Sequence, residues 1–152
     1  GVISLWNIED VEIDGKKFVN VANCISQLQL ARINYKLHDG SYEQRLDMIM
    51  THRSADLPVG APHDWADWAL FQMMVAKELG IPTGTLTANI NEGQIYDVQM
   101  EQVKELLKRE PMKKGSVTID SSPSGTIYDH SQEDFHLHDY QSHPKMKMSI
   151  VD

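Results

Sequence analysis

The sequence predicts an α+β fold in which a mostly antiparallel or mixed sheet packs against buried helices. Residues 24–37 alternate between apolar and polar with period 2, and residues 64–79 carry apolar side chains around most of a helix. Two short late segments are also typical of strands. The 152 residues, 41% of them apolar, suffice for one domain with a hydrophobic core but not for two full domains.

The first part of the chain predicts a short strand, a loop and a long strand. Residues 2–6 are almost wholly apolar and predict a strand, whereas the acidic residues 8–17 predict a loop that turns at Asp14-Gly15. The alternation of residues 24–37 has an offset at Ala31-Arg32, which indicates one long strand with a bulge at that point.

A turn and a returning strand follow. His38-Asp39-Gly40 has the residue types of a tight turn, and residues 46–52 predict a second, antiparallel strand. Residues 56–62 contain two prolines and a glycine, which predict a loop.

Residues 64–79 predict a helix with Asp64 as its N-cap, ending at Gly80 with Pro82 just beyond. Its apolar residues cover most of the circumference, so the helix should be deeply buried. These residues are Trp65, Trp68, Ala69, Met73, Val75, Ala76 and Leu79.

The second half predicts one more helix and several strands. Residues 85–90 predict a strand. Residues 96–109 predict a helix with a polar outer face, and Pro111 ends this helix. Ser116–Ile119 and Phe135–His138 predict late strands around a turn rich in Ser, Pro and Gly.

Charge and composition exclude several classes of protein. The formal net charge of −8 argues against binding to a nucleic-acid backbone, and no apolar run approaches the roughly 18 residues of a membrane span. One cysteine excludes an internal disulfide and multi-cysteine metal sites, and it fits a reducing cytoplasm. The sequence therefore predicts a cytoplasmic protein without nucleic-acid or membrane partners.

Short motifs occur along the chain in a fixed order, and together they carry more weight than any residue alone. Cys24 by itself is typical of a small buried side chain, Arg53 of a surface arginine and Asp64 of an N-cap. The motifs are Trp6-Asn7, Cys24-Ile25-Ser26-Gln27-Leu28-Gln29, Arg53-Ser54-Ala55-Asp56-Leu57-Pro58-Val59-Gly60-Ala61-Pro62, Gln94-Ile95-Tyr96, Leu107-Lys108-Arg109-Glu110-Pro111, Glu133-Asp134-Phe135 and His143-Pro144. In this order they resemble the thymidylate synthase family.

The resemblance implies a thymidylate synthase-like fold of which residues 1–152 form the C-terminal portion of a single catalytic domain. It also implies the cofactor 5,10-methylenetetrahydrofolate, a pyrimidine nucleoside monophosphate substrate and a homodimer joined through sheet faces. Further arginines of the family's phosphate site come from preceding residues and from the neighbouring subunit. A second chain or an N-terminal segment is therefore expected to complete the site, and the 152 residues alone are expected to be inactive.

The resemblance assigns roles around the nucleophile. Cys24 would add as a thiolate to C6 of the pyrimidine, and Arg53 would favour that thiolate and grip the nucleotide phosphate. Ser54 would add a hydroxyl to the phosphate, and Gln29 would help to position the site. Asp56 would offer its backbone N–H to the pyrimidine O2 and its carboxylate to the pterin.

Further roles concern the sugar and the folate. Tyr96 would bind the sugar 3′-hydroxyl, with Gln94 in place of the family's histidine. Gly60 would permit close approach of the folate, and His63 stands where a folate-contacting phenylalanine is usual.

Asp64 stands where thymidylate synthases have an asparagine that reads uracil. Cytosine reverses the hydrogen-bonding groups at positions 3 and 4 of the base, so an Asp that accepts from N4 and, when protonated, donates to N3 matches cytosine. Burial would favour the protonated form. In this respect the chain resembles deoxycytidylate (dCMP) hydroxymethylase, and conversion of dCMP to 5-hydroxymethyl-dCMP is the leading hypothesis.

Two alternatives stay open. The same folate chemistry can end in methyl transfer, as in a thymidylate synthase-type methyltransferase acting on dUMP or dCMP. Alternatively, the His-rich end could make the chain a non-enzymatic metal-binding or partner-binding domain. The residues concerned are His130, His136 and His138 with Asp129, Asp134 and Asp139. The simpler interpretation is a strand exposed to solvent, and no metal ligand is assigned.

Overall fold

The computed structural model describes residues 1–4, 11–13, 16–18, 24–122 and 125–149. Trp6-Asn7, the predicted turn at Asp14-Gly15 and the end of the first predicted strand lie outside these residues. The strands are β1 (Val2–Ser4), β2 (Val11–Ile13), β3 (Lys16–Phe18), β4 (Ile25–Lys36), β5 (Tyr42–His52), β6 (Ala55–Asp56), β7 (Thr83–Ile90), β8 (Gly93–Gln94), β9 (Ser116–Ile119) and β10 (Phe135–His138). The helices are α1 (Gly60–Glu78) and α2 (Met100–Leu106), with short 3₁₀ turns at Asp97–Gln99, Ile127–Asp129 and Gln132–Asp134.

The main sheet is mixed and has the strand order β1-β4-β5-β7. β4 pairs with its neighbours β1 and β5 in the antiparallel direction, and β5 pairs with β7 in the parallel direction. α1 forms the crossover between β5 and β7, as a parallel pair requires. The late strands β9 and β10 form an antiparallel ribbon. The predicted α+β class and both late strands are therefore confirmed.

The core lies between this sheet and α1. Leu28, Met48 and Met50 are fully buried, and the edge of Trp68 packs against the ring of Phe71 with centroids 5.4 Å apart. Gln72 attaches the helix to the sheet, because its buried amide donates to the Leu46 carbonyl at 2.7 Å.

The bulge in β4 lies at its beginning and not at Ala31-Arg32, where the prediction was wrong. The register with β5 is continuous through Ala31 and Arg32 but shifts between Ile25 and Gln27. Ile25 and Leu28 both point into the core although three positions separate them, and an extra residue makes this possible. The apparent offset later in the strand arises because Ile33 faces outward on the other side, where it is 42% exposed.

β5 begins at Tyr42, earlier than the predicted residue 46. The predicted turn before it is confirmed: Gly40 has φ of 85°, and the Asp39 carboxylate accepts hydrogen bonds from both the backbone and the hydroxyl of Ser41. The Ser41 bonds hold the pKa of the Asp39 carboxyl below its usual value. Because this turn directs the chain back along β4, β5 pairs with β4 from its first residue, Tyr42, which lies opposite Lys36.

Within the predicted loop over residues 8–17, the prediction was wrong for residues 11–13 and 16–17, which form strands. β2 and β3 pair in the antiparallel direction, with Val11 opposite Phe18 and Ile13 opposite Lys16. The β-branched residues Val11 and Ile13 at period 2 favour a strand, and this local preference outweighs the acidic character of the segment.

α1 begins at Gly60, so the prediction of Asp64 as its N-cap was wrong. Val59 occupies the cap position without a side-chain hydrogen bond, and Pro62 lies inside the first turn. Proline is tolerated there because the first backbone N–H groups of a helix have no partner within it. The predicted C-terminus is confirmed, since Gly80 has φ of 65° and its N–H donates to the Lys77 carbonyl.

The predicted deep burial of α1 is wrong for the described chain. Only Ala61, Gln72 and Ala76 are buried in the helix, and Trp65 is 37% exposed. One side of α1 packs on the sheet, whereas its remaining apolar side chains are only partly covered by the described residues.

The second predicted helix is shorter than residues 96–109. The chain passes through the 3₁₀ turn at Asp97–Gln99 into α2, which ends at Leu106. The next N–H groups, of Lys108 and Arg109, bond three residues back, which tightens the last turn before Pro111. No helix in the described ranges is long and apolar enough to cross a membrane.

The sheet face opposite α1 is open in the described part of the chain. Gln29, Ile33, Ile49 and Thr87 are all exposed on this face. The register places Gln29 opposite Ile49 on β5, which in turn lies beside Thr87 on β7. These residues form a flat surface of amide, hydroxyl and apolar side chains that we call the open sheet face.

Candidate active site

Cys24 and Arg53 meet at one end of the β4–β5 hairpin. The Arg53 backbone N–H donates to the Cys24 carbonyl at 2.7 Å, so residues that are far apart in sequence become neighbours. Both residues are exposed, and Ser54 beside them is buried. The hairpin thus presents a thiol and a guanidinium-bearing residue on one accessible edge.

A short parallel pair of strands holds the following segment. β6 pairs with β8 so that Asp56 lies beside Gln94. The N–H groups of Ala55 and Leu57 donate to the carbonyls of Glu92 and Gln94, each at 2.9 Å. This ladder brings the Arg53–Pro62 motif next to the Gln94–Tyr96 motif.

Gln99 is fully buried and connects three parts of this region. Its amide N–H₂ donates to Asp56 Oδ2 and to the Ser149 carbonyl, both at 3.0 Å, and its Oε1 accepts the Tyr96 backbone N–H at 3.1 Å. The other carboxylate oxygen of Asp56, Oδ1, is buried and has no hydrogen-bond partner in the described chain. A buried unpaired oxygen of this kind is a place where a ligand N–H can bind.

Tyr96 and Gln94 are linked directly. The Tyr96 hydroxyl donates to Gln94 Oε1 at 3.0 Å, and Gln94 Nε2 donates to Glu92 Oε1 at the same distance. The Tyr96 oxygen keeps lone pairs that can still accept a hydrogen bond from a sugar hydroxyl.

Asp64 lies in the first turns of α1, facing the end of β5. Its side chain is 34% exposed, and its Oδ2 atom is 3.8 Å from Nδ1 of the fully buried His52. Burial raises the pKa of the Asp64 carboxyl and nearby Asp67 adds to this, while protonated His52 or His63 would oppose it. Burial also lowers the pKa of His52, against the attraction of Asp64. Burial thus disfavours the charged form of both groups, the imidazolium of His52 and the carboxylate of Asp64.

A groove of about 620 Å³ opens beside the start of α1. Val59 and His63 line one side, and Arg109 and His143 line the other. His63 donates from Nδ1 to the Val59 carbonyl at 2.7 Å. At Gly60, an added Cβ would lie 3.7 Å from Cβ of Asp56, an ordinary contact, so the protein itself does not require glycine at this position.

Two late motifs meet in the wall of this groove. Arg109 Nη1 donates to the Pro144 carbonyl at 3.0 Å, and His143 Nε2 donates to the Glu110 carbonyl at 2.9 Å. The Leu107–Pro111 and His143-Pro144 motifs are therefore adjacent in space as well as ordered in sequence.

Gln29 is the predicted site residue that the structure places elsewhere. It lies on the open sheet face, away from α1 and Asp64, and its amide donates to Gln27 Oε1 at 3.2 Å. A role for Gln29 in positioning the site would have to act from this opposite face.

The late histidines do not form a metal site in the described ranges. His130 Nε2 is 3.2 Å from Glu78, His136 Nε2 is 3.0 Å from Asp120, and His138 Nε2 is 2.8 Å from Thr118 Oγ1. Each ring contacts a different partner, and no three acidic, histidine or cysteine side chains among the described residues are arranged to share an ion.

Sequence reasoning missed His52 and Gln99. Gln99 could have been found, because a glutamine three residues after a helix N-cap is typical of a capping box, and Tyr96 and Gln99 form one. His52 had no such signal, since its partner Asp64 is on another element and its burial depends on how α1 packs.

Comparison with known proteins gives the family. A family model described as thymidylate synthase matches residues 1–151. The thymidylate synthase of Francisella philomiragia subsp. philomiragia is 33% identical over 152 residues, which cover 98% of this chain and 54% of that protein. The thymidylate synthase of Francisella tularensis subsp. holarctica is 35% identical over 106 residues, or 70% of this chain and 38% of that protein. The chain thus spans about half the length of the first of these relatives.

The fold is similar to that of the thermostable thymidylate synthase A from Bacillus subtilis. The TM-score is 0.69 at 23% sequence identity, over 84% of this chain and 42% of that one. This likeness confirms the predicted thymidylate synthase-like fold. Together with the family match over residues 1–151, it leads to one conclusion: the chain belongs to the thymidylate synthase family.

Proposed function

We propose that the protein containing this chain converts dCMP to 5-hydroxymethyl-dCMP, through a covalent bond between Cys24 and C6 of the base. One observation carries the choice of base: Asp64 is partly buried with a raised carboxyl pKa and faces the fully buried His52, whose pKa is lowered. The resemblance puts the base-reading side chain of the family at this position.

A protonated Asp64 complements cytosine when its O–H faces N3. Its carbonyl oxygen then accepts from the cytosine N4 amine, and its O–H donates to N3. With uracil in the same arrangement, O4 would face the carbonyl oxygen and N3–H would face the O–H, and a fit to uracil would need the proton on the other carboxyl oxygen. Each unpaired buried polar group costs about 1–3 kcal/mol, so while the proton stays on the first oxygen the two mismatches favour cytosine by about 30-fold or more.

The nucleotide's reacting side would lie at the end of the β4–β5 hairpin. Cys24 supplies the thiolate, and Arg53, whose backbone N–H donates to the Cys24 carbonyl, binds the phosphate with help from Ser54. When the sulfur bonds to C6, the C5–C6 electron pair becomes available at C5. Tyr96, oriented by Gln94, would hold the sugar hydroxyl.

The folate of this family, 5,10-methylenetetrahydrofolate, fits the groove beside α1. The groove has the volume of a small-molecule pocket, and the unpaired Oδ1 of Asp56 offers an acceptor for a pterin N–H. Gly60 begins α1 beside Asp56, and His63 lines the groove wall. When bound, the folate supplies the one-carbon unit that C5 attacks, and water then provides the hydroxyl of the product.

Methyl transfer is the second candidate, because both relatives described above are named thymidylate synthase. The residues of the described site serve either outcome. Capture of the one-carbon unit by water gives the hydroxymethyl product, whereas hydride transfer gives the methyl product.

We also infer that this chain acts within a larger homodimeric enzyme. The open sheet face combines exposed apolar and amide side chains with the ion pair of Arg45 and Glu43, a mixed surface that a second subunit can cover. The first relative is about twice as long as the part that this chain spans. By the resemblance, residues outside the chain would complete phosphate binding. The free thiol of Cys24 requires a reducing compartment, such as the cytoplasm.

The test uses the full-length protein with methylenetetrahydrofolate and either dCMP or dUMP labelled with tritium at C5. Release of tritium from dCMP, together with a hydroxymethylated product in mass spectrometry, is the expected result. Release from dUMP alone, with a methylated product, would support the thymidylate synthase alternative. Cys24→Ser should abolish release from either nucleotide, which shows that the measured reaction belongs to this site.

A further inference from the structure

His52, the last residue of β5, is a fully buried histidine whose two ring nitrogens have different surroundings. Nε2 lies 3.1 Å from Sδ of Met50, which is itself completely buried. A thioether sulfur can accept but not donate, so this contact favours the tautomer with the proton on Nε2.

The other ring nitrogen is then a bare acceptor. Nδ1 is buried without a hydrogen-bond partner in the described chain, and Oδ2 of Asp64 lies 3.8 Å from it. A carboxylate cannot donate to Nδ1, but a carboxylic acid can, after a small rotation of the Asp64 side chain. Protonation of Asp64 is therefore the change that satisfies the unpaired nitrogen.

We propose that His52 is a positioning residue for base selection: its Nδ1 gives the Asp64 O–H a resting acceptor and so keeps Asp64 in the form that reads cytosine. This inference rests on the proposed role of Asp64 in the preceding section. On binding, the Oδ2–H would be shared between Nδ1 and N3 of cytosine, so that Nδ1 keeps its donor. Uracil would need the proton on Oδ1 instead, which leaves Nδ1 without a donor.

The competing arrangement is an imidazolium paired with a carboxylate. Burial opposes it from both sides, because it lowers the pKa of His52 and raises the pKa of Asp64. The other charged groups that act on Asp64 are Asp67, which favours the protonated form, and His63, which opposes it, and both lie on α1. From β5 the titratable group that faces Asp64 is His52 itself.

The first test is independent of substrate. Nitrogen NMR of the full-length protein, labelled in its histidine rings, reports the tautomer of His52. We expect a neutral ring protonated at Nε2 at pH 7, with an Nδ1 resonance that moves toward that of a bare acceptor in Asp64→Ala. An Nδ1-protonated ring or an imidazolium at this pH would overturn the proposal.

The second test is kinetic and uses His52→Gln, which retains an amide near the Nε2 position and removes Nδ1. The pH profile of dCMP turnover should show a lower pKa for Asp64 in this variant than in the unmodified enzyme. The ratio of kcat/KM for dCMP to that for dUMP should fall about tenfold, the effect of one lost hydrogen bond to the carboxyl. The control is His38→Gln, an exposed position in the β4–β5 turn, which should change neither quantity.

The two proposals can fail separately. If Asp64→Asn leaves the preference for dCMP unchanged, base reading by Asp64 is wrong, and the NMR tautomer still decides whether His52 and Asp64 are coupled. If Asp64→Asn reverses the preference while a folded His52→Gln keeps both the pH profile and the ratio, the role of His52 is overturned.

Discussion

Gln99 donates its side-chain amide to the carboxylate of Asp56 across 3.0 Å, although 43 residues separate them in the chain. The same amide donates to the carbonyl of Ser149 in the C-terminal tail. One buried side chain therefore joins the loop that carries Asp56 to the start of α2 and to the tail. This connection fixes Asp56 with one oxygen used and the other free for a ligand.

Replacement of Gln99 by leucine should destabilise the protein. Leucine has a similar volume but leaves the Asp56 carboxylate, the Tyr96 N–H and the Ser149 carbonyl without their partner. We expect a loss of about 2–4 kcal/mol in the free energy of unfolding, measured by urea denaturation. Gln141→Leu, at an exposed position, is the matched control and should change the stability by less than about 0.5 kcal/mol. Equal effects of the two substitutions would contradict the central position of Gln99.

Gly60→Ala should separate folding from folate binding. An alanine Cβ would make only an ordinary contact with Asp56, and alanine favours a helix over glycine by about 1 kcal/mol. We therefore expect unchanged or slightly higher stability, but weaker binding of methylenetetrahydrofolate in the full-length protein, because the added methyl group would lie beside Asp56, whose carboxylate is proposed to bind the pterin. Calorimetric titration measures the binding. Unchanged affinity would remove Gly60 from the folate site.

The pH dependence of stability should carry the opposing contributions of His52 and Asp64. The lowered pKa of His52 means that the unfolded chain takes up a proton near pH 6.5 that the folded chain refuses, so stability is lost as the pH falls below that value. The raised pKa of Asp64 means that the folded chain binds its proton more tightly than the unfolded chain. That contribution is present at low pH and is lost as the pH rises through the folded pKa.

Urea denaturation across pH tests both contributions. His52→Gln should lose less stability than the unmodified protein between about pH 7 and pH 5.5, because it lacks the buried imidazole. Protonation of Asp64 should raise the free energy of unfolding as the pH falls toward 3.8, the ordinary pKa of an Asp carboxyl. Asp64→Asn should remove this gain. If His52→Gln has the same slope as the unmodified protein in the first range, His52 is not a buried neutral group.

The open sheet face should mediate dimerisation. Ile49 lies at its centre, 37% exposed, beside Gln29 and Thr87. Ile49→Lys would bury a charge against a second copy, so the full-length protein should shift from dimer to monomer in analytical ultracentrifugation. Leu107→Lys, at a highly exposed position on another surface, is the control and should stay dimeric. A stable Ile49→Lys dimer would place the interface elsewhere.

Local patterns in the sequence determined most elements, because the periodicity of a strand or helix and the residues that end it are properties of neighbours. The alternation of β4, the Asp39-Gly40 turn, the glycine C-cap of α1 and the bounds of β9 and β10 follow from such patterns. Errors arose where a local preference competed with packing. Residue 64 could cap a helix, yet α1 starts earlier because Pro62 fits in its first turn.

The sequence also determined the family, since its motifs occur in the right order, and it placed Cys24, Arg53, Asp56 and Asp64 among the candidates. Only the tertiary structure decided which side chains meet. The contact of His52 with Asp64, the bonds of Gln99 and the position of Gln29 on the opposite face depend on strand register and helix packing. The physical reason is that burial, and with it the raised pKa of Asp64, is a property of residues brought together from distant parts of the chain.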